Sequence, residues 1–148
     1  MNVTSFSQIE IELNKRLSNS LEVEVAEVIK ETMYRKIYTV VYNVYTPKQY
    51  KRQMDYGGLS DMNKNMSAKM IDGNTLSIRN IREAYNEEAQ LRLDVADIIE
   101  SGQGYTRNFE YFGIPRPFTE ETRKELRKTK GHVKALKEGL KRNGLKVR

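Results

Sequence analysis

At 148 residues the chain has room for one domain and excludes a second independent core. Charged residues make up 31% but carry mixed signs over intact apolar patterning, which excludes wholesale disorder, and the absence of cysteine excludes a disulfide framework and thiolate chemistry. The net charge of +6 is unevenly placed: from Arg116 onward twelve Lys and Arg face four Asp and Glu, a balance of +8, while residues 1–115 hold fourteen basic and sixteen acidic residues.

Met1 to Ser7 has no basic stretch leading into an apolar one, so no export signal is expected there. No apolar run approaches the roughly 20 residues that span a bilayer, and no membrane partner is expected. Phe6, Ile9, Leu13 and Leu17 step by three and four, which predicts one face of a helix capped by Ser5 or Ser7. Asn19-Ser20 interrupts that face, and a second stripe follows through Leu21, Val25, Val28 or Ile29, and Thr32 or Met33. Ile37 to Tyr45 is rich in β-branched and aromatic residues and has strand propensity. The spacing of Ile37, Val41, Val44 and Tyr45 is nonetheless helical, and predicts a helix to about Val44 that Pro47 ends.

Residues 47–62 read as a loop, with a turn or hinge at Gly57-Gly58. Asn65–Ile71 and Thr75–Ile81 alternate apolar and polar residues around Asp72-Gly73-Asn74, which predicts a β-hairpin near 65–81. Tyr85–Glu100 is expected to be helical, at least from Leu91 to Ile99, and to stop at Ser101-Gly102-Gln103-Gly104. Tyr105–Pro117 is aromatic and irregular, with a strand expected near Phe109–Phe112. Thr119 to about Asn143 is predicted as one basic helix, with Glu120-Glu121 in its first turn and Asn143-Gly144 as its C-cap. These elements predict an α+β domain: a long N-terminal helix and a C-terminal helix packed on a small, mostly antiparallel sheet.

The sequence offers little catalytic chemistry. The single histidine, His132, lies between Lys130 and Lys134, so a Ser-His-Asp arrangement has poor material. Without cysteine and with one histidine, no zinc ligand set is expected. Asp94, Asp97 and Glu100 fall along one helical face, where a hydrated cation is conceivable. Their alternation with Arg92, Leu91, Leu93, Val95 and Ile98 fits a solvated helix face better. Gly102-Gln103-Gly104 lacks the third glycine of a dinucleotide loop and the Gly-Lys-Ser/Thr of a P-loop. The expectation is a protein that is not an enzyme and holds no cofactor or metal.

Two surfaces carry more. Arg123, Lys124, Arg127, Lys128, Lys130, Lys134, Lys137, Lys141 and Arg142 surround an apolar stripe of Leu126, Val133, Leu136 and Leu140. Such a helix faces DNA phosphates without sequence specificity, an acidic neighbouring protein, or water. Tyr34, Tyr38, Tyr42, Tyr45, Tyr50 and Tyr56 cluster as either a face packed on the sheet or a protein interface.

The order of motifs supports a resemblance. A helix leads to Tyr45-Thr46-Pro47 and Tyr50-Lys51-Arg52, then Gly57-Gly58-Leu59 precedes a hairpin. Ile99-Glu100-Ser101-Gly102 and Pro115-Arg116-Pro117-Phe118 follow, and the last helix ends Ala135-Leu136-Lys137-Glu138-Gly139-Leu140-Lys141. This resembles the tail-completion or neck proteins of long-tailed double-stranded DNA phages, the minor tail protein Z type, over nearly the whole chain. In that family a Thr-Gly-x-Leu turn leads into strands and a late Arg-Pro-Phe introduces the last helix. Arg116-Pro117-Phe118 matches directly, whereas the loop here is longer and lacks the threonine.

The resemblance implies a structural virion protein, one copy in a ring at the neck or upper tail, made in the host bacterial cytoplasm. An intact phage and a phage-tail-like particle use similar parts. The implied partners are identical subunits and neighbouring neck, connector, tail-terminator or tail-tube proteins, with DNA passing through the ring. Tyr45, Pro47, Tyr50, Arg52, Tyr56 and Leu59 are the expected subunit contacts, with Pro117 and Phe118 anchoring the last helix. Arg123, Lys124, Arg127, Lys128, Lys134, Lys137 and Lys141 are the expected contacts to DNA or an acidic partner. The alternative expectation is a nucleic-acid-binding regulator that uses the basic helix.

Overall fold

The computed structural model describes residues 5–106 and 109–148. The chain begins with one long helical rod. Helix α1 (Phe6–Ser20) passes through a π-helical segment, Leu21–Val25, into α2 (Ala26–Lys36), and a second π segment, Ile37–Tyr42, ends it. Ser5 caps α1 by accepting the amide of Gln8. The apolar stripe is interrupted at Asn19-Ser20 as expected, where the π segment begins, and the helix runs on through it. Ser20 keeps helical dihedrals and donates its hydroxyl to the Arg16 carbonyl at 2.8 Å, so it is polar, satisfied and fully buried inside the rod. Each π turn re-phases the apolar stripe, which is how Ser20 and Val25, five apart, share the buried side. The strand-prone run Ile37–Tyr42 is helical because Ile37, Val41 and Tyr42 bury together against the core. The rod stops after Tyr42, whose carbonyl accepts Arg52 Nη1 at 2.9 Å. A cation thus sits on the negative end of the helix dipole.

Helices α3 (Val95–Ser101), α4 (Phe118–Thr129) and α5 (Gly131–Arg142) complete the helical part. Helices α4 and α5 run back along the rod: Phe118 buries beside Ile37, Gly131 lies against Val28, and Gly139 against Ser20 and Glu24. One helix over 119–143 was expected, and the structure breaks it at Lys130. Lys130 adopts the left-handed conformation (φ 56°) and its N–H donates to the Leu126 carbonyl, closing α4 as a glycine cap would. Gly131 then passes within van der Waals reach of Val28, and the break lets α5 follow the rod.

The hairpin is present: β1 (Met66–Asp72) pairs antiparallel with β2 (Thr75–Asn80), Met66 opposite Asn80, with a bulge between Met70 and Asp72. Its tip is tied to the rod by Ser18, which donates to the Gly73 carbonyl at 2.6 Å. Residues 85–94 differ from expectation. They form a second hairpin, β3 (Glu83–Asn86) with β4 (Leu91–Asp94), and only Val95–Ser101 is helical. Leu91-Arg92-Leu93-Asp94 alternates with period two, Gln90 takes a positive φ in the turn, and Asp94 caps α3 by accepting the Asp97 amide at 3.0 Å. Gly102 ends α3 in the left-handed conformation (φ 73°), as the sequence indicates. The expected strand at Phe109–Phe112 is instead a turn, closed by Phe112 N–H to the Phe109 carbonyl. Arg107 and Asn108, inside the same irregular segment, lie outside the described residues.

The core gathers Met33, Ile37, Val41 and Tyr42 of the rod with Leu59, Met66, Ala96 and Phe118. Full burial of one such large side chain is worth about 1.5–3 kcal/mol. Segment 54–62 is more than a passive loop. Asp61 accepts the amides of Gly57, Asn63 and Lys64 at 2.8, 3.1 and 3.0 Å, which folds the segment into turns and delivers Leu59 to the core. The result is an α+β fold, a helical rod backed by two antiparallel helices and flanked by two small antiparallel sheets.

Candidate functional site

Three surfaces carry the residues that the sequence singles out. The first is an arginine–aromatic cluster where the rod ends. Tyr45 follows the last helical turn, Tyr50 and Arg52 lie on the loop after it, and Tyr105, Phe109, Tyr111 and Arg116 come from the irregular segment before α4. The Arg52 guanidinium stands over the rings of Tyr42 and Tyr45 at 5.0 and 4.6 Å. Arg116 stands over Tyr45, Tyr111 and Phe109 at 5.4, 5.2 and 5.9 Å. Tyr45 and Tyr111 stack, their ring centroids 5.0 Å apart.

Arg116 is only 4% exposed. Its Nη2 donates to the Tyr105 hydroxyl at 2.7 Å and its Nη1 reaches the Val41 carbonyl at 3.5 Å. Its Nε has no hydrogen-bond partner among the described residues, and no described carboxylate pairs with it. Beside it the Tyr45 and Tyr50 hydroxyls lie 2.8 Å apart. Burial, helped by that hydrogen bond, pushes the Tyr50 hydroxyl up to about 12, so it stays protonated at neutral pH. These groups border a cavity of about 620 Å³, which Val41, Leu93, Val95, Ile98 and Ile99 also line with apolar side chains.

The second surface is α1. Phe6 (84% exposed) and Ile11 stand largely in water, and Ile9 and Leu13 (45% exposed) are about half exposed. The third is the basic pair α4–α5. Arg123 and Arg127 pair with Glu120, Lys124 with Glu121, and Lys141 with Glu138, all on exposed surface. Lys128, Lys134 and Lys137 are exposed with no acidic partner among the described residues.

The structure thus brings Tyr45, Pro47 and Tyr50 to the cavity wall and Arg52 onto Tyr45, and leaves Tyr56 exposed and apart. Leu59 is corrected: it was expected at a subunit contact, and its turn instead buries it in the protomer's own core. Pro117 precedes the first turn of α4 and Phe118 is fully buried. The tyrosines at helical spacing divide. Tyr34 and Tyr38 donate to Asp55, and burial raises the Tyr38 hydroxyl far above its ordinary value. Two of the three aligned carboxylates have separate structural tasks: Asp94 caps α3 and Glu100 accepts the Thr119 amide at 2.7 Å. Sequence reasoning missed Arg116, Tyr105 and Tyr111 as partners. The available signal was an arginine between two prolines beside an aromatic-rich stretch.

Among the described residues no helix is long and apolar enough to cross a membrane. A family model described as YomN matches residues 5–142. The SPbeta prophage-derived uncharacterized protein YomN of Bacillus subtilis (strain 168) is 33% identical over 126 residues, which cover 83% of this chain and 81% of that protein. No solved structure matches.

Proposed function

The chain belongs to the YomN family, and from that premise we propose that it is a structural subunit of a phage-derived virion particle, one copy in a ring at the neck or upper tail. The reading is non-catalytic. The observation that carries it is the apolar face of α1: Phe6, Ile9 and Leu13 recur on one side of a helix and remain half to mostly exposed within the protomer. An apolar face of this kind gains its stabilisation only when another subunit covers it. A second copy, rotated about a common axis, closes a ring by heterologous contact. The prophage origin of the relative fits a particle component, and the motif order around Arg116-Pro117-Phe118 fits the tail-completion type. Tyr45, Pro47, Tyr50 and Arg52, at the opposite end of the rod, supply a complementary contact to neck, connector, tail-terminator or tail-tube neighbours.

The test is the mass of the purified full chain by light scattering, alone and with candidate neck or tail-tube proteins of the same particle. A ring-sized species that forms alone or with those partners, and is lost in the Phe6→Ser/Ile9→Ser/Leu13→Ser variant at unchanged circular dichroism, supports the reading. A protein that stays monomeric at every concentration and with every partner sinks it.

One observation favours a second reading, a nucleic-acid-binding regulator: Lys128, Lys134 and Lys137 are exposed and unpaired among the described residues. That reading requires duplex binding that weakens steeply with salt and is lost on changing these three to glutamine.

A further inference from the structure

We propose that the cavity at the end of the rod receives the apolar face of α1 from a second copy of the chain. The inference rests on the assembly reading and deepens it, by naming the two surfaces through which neighbouring copies meet.

The two surfaces are complementary in shape and polarity. Phe6, Ile9 and Leu13 stand at i, i+3 and i+7 of α1, the spacing with which an amphipathic helix sets its anchors into an apolar groove. Phe6 is the most exposed of the three, and an aromatic side chain gains more than most from entering a pocket. The cavity supplies one. Val41, Leu93, Val95 and Ile98 line it with aliphatic groups, Tyr45 and Tyr105 add rings, and about 620 Å³ has room for more than one side chain. Lys48, Gln49 and Tyr50, which also line it, are exposed, so the cavity opens to solvent.

Charge agrees with the pairing. Between Phe6 and Leu13 the only charged residues are Glu10 and Glu12, which helical period places at the two margins of the apolar stripe. Glu12 pairs with Arg16, while Glu10 is exposed with no basic partner among the described residues. At the cavity the balance reverses. Lys48 lines it, exposed and without an acidic partner among the described residues, and Lys51 and Arg52 follow on the same loop. Glu110 is the one acidic residue among those that line it. An acidic helix margin against a basic cavity rim favours this contact and fixes its register.

The occupant is a second copy because a chain cannot reach its own cavity. Residues 6–42 form one rod, roughly 50 Å long at about 1.5 Å per residue, with α1 at one end and the cavity at the other. Each copy therefore carries both halves of the contact at separate ends, the arrangement that joins copies head to tail.

The experiment places p-benzoylphenylalanine at Phe6 of the full chain, an exposed position where another aromatic group leaves the fold intact. This chain is mixed with an isotope-labelled unsubstituted copy, alone and with the candidate neck or tail-tube proteins, and irradiated. Mass spectrometry then identifies the captured peptide and the copy it came from. The expected result is capture by residues 41–50 or 93–106 of the labelled copy. In addition, Lys48→Glu should weaken association by about two- to fivefold, and Glu10→Lys in the same chain should restore it. An assembly whose cross-links fall on another surface of the second copy, such as the basic face of α4 and α5, or only on a partner protein, overturns this contact and leaves the ring standing. A loss in Lys48→Glu that Glu10→Lys does not restore also overturns it. A protein that stays monomeric under every condition and forms no cross-link between copies overturns the contact and the assembly reading together.

Discussion

The two ends of the long N-terminal rod carry the same helical spacing of apolar residues and have opposite surroundings. Met33, Ile37 and Val41 step by four and are sealed by Phe118, Leu59 and Met66. Phe6, Ile9 and Leu13 step by three and four and are met by water. Helical period states that a face exists; it does not state what covers it, because the same stripe serves a protomer's core or a neighbour's surface. The difference lies in what returns along the chain. Helices α4 and α5 run back beside the rod as far as Asn19, with Gly139 fitting closely on Ser20 and Arg142 pairing with Glu24 and donating to Asn19.

The comparison can be broken by substitution, and the largest expected effect is at the covered end. Phe118→Ala removes the fully buried ring that seals Ile37 and Val41, and should cost about 3–5 kcal/mol in denaturant unfolding. A loss below about 1 kcal/mol would mean that this end is as loosely covered as α1.

Next comes the close fit of α5 on the rod. A Cβ on Gly139 would lie 2.5 Å from Glu24 Oε2 and 2.7 Å from Ser20 Cβ. Gly139→Ala should therefore push α5 off the rod, at a cost of about 1–3 kcal/mol in the same assay.

The turn that delivers Leu59 to the core should show in acid. The amides of Lys64, Gly57 and Asn63 hold the Asp61 carboxyl below its ordinary value of 3.8. The folded state therefore prefers the ionised form. Its contribution is complete above the ordinary value and is lost as pH falls through the lower folded value. Melting temperature should drop on acidification below about pH 4, and Asp61→Asn should start lower and lose part of that drop. An unchanged acid slope in the variant would show that other carboxylates govern it.

The smallest effect belongs to the uncovered end. Leu13→Ser should change unfolding free energy by less than about 0.5 kcal/mol while weakening self-association or partner binding. A loss as large as that of a core residue would reveal cover within the protomer and end the comparison.

What was legible in the sequence was mostly local. Asp72-Gly73-Asn74 between alternating runs placed the first hairpin, because turn chemistry and period two act within a few residues. The stop at Gly102 was legible for the same reason. The second hairpin was not: Leu91, Leu93, Val95 and Ile98 suit a helix as well as a strand, and only the positive φ of Gln90 and the cap at Asp94 separate them. The break at Lys130 was hidden by a residue that favours helices, although the neighbouring Gly131 marked it. Of the candidate site, Tyr45, Pro47, Tyr50 and Arg52 were visible as an aromatic and basic cluster. Their partner Arg116 is more than sixty residues away in the chain, and its role depends on burial that no local pattern encodes.

By itself, then, the amino-acid sequence determined the long rod, the first hairpin, the basic C-terminal segment and the α+β class, since periodicity, propensity and turn residues are short-range properties. The tertiary structure alone decided that Ser20 is buried and satisfied, that Leu59 is core, that Arg116 lies among three rings with one donor unmet, and that the apolar face of α1 is left half to mostly exposed. Each of these is a question of which distant segment arrives to cover a group. Packing of the whole chain answers it, because water is excluded only where two surfaces meet.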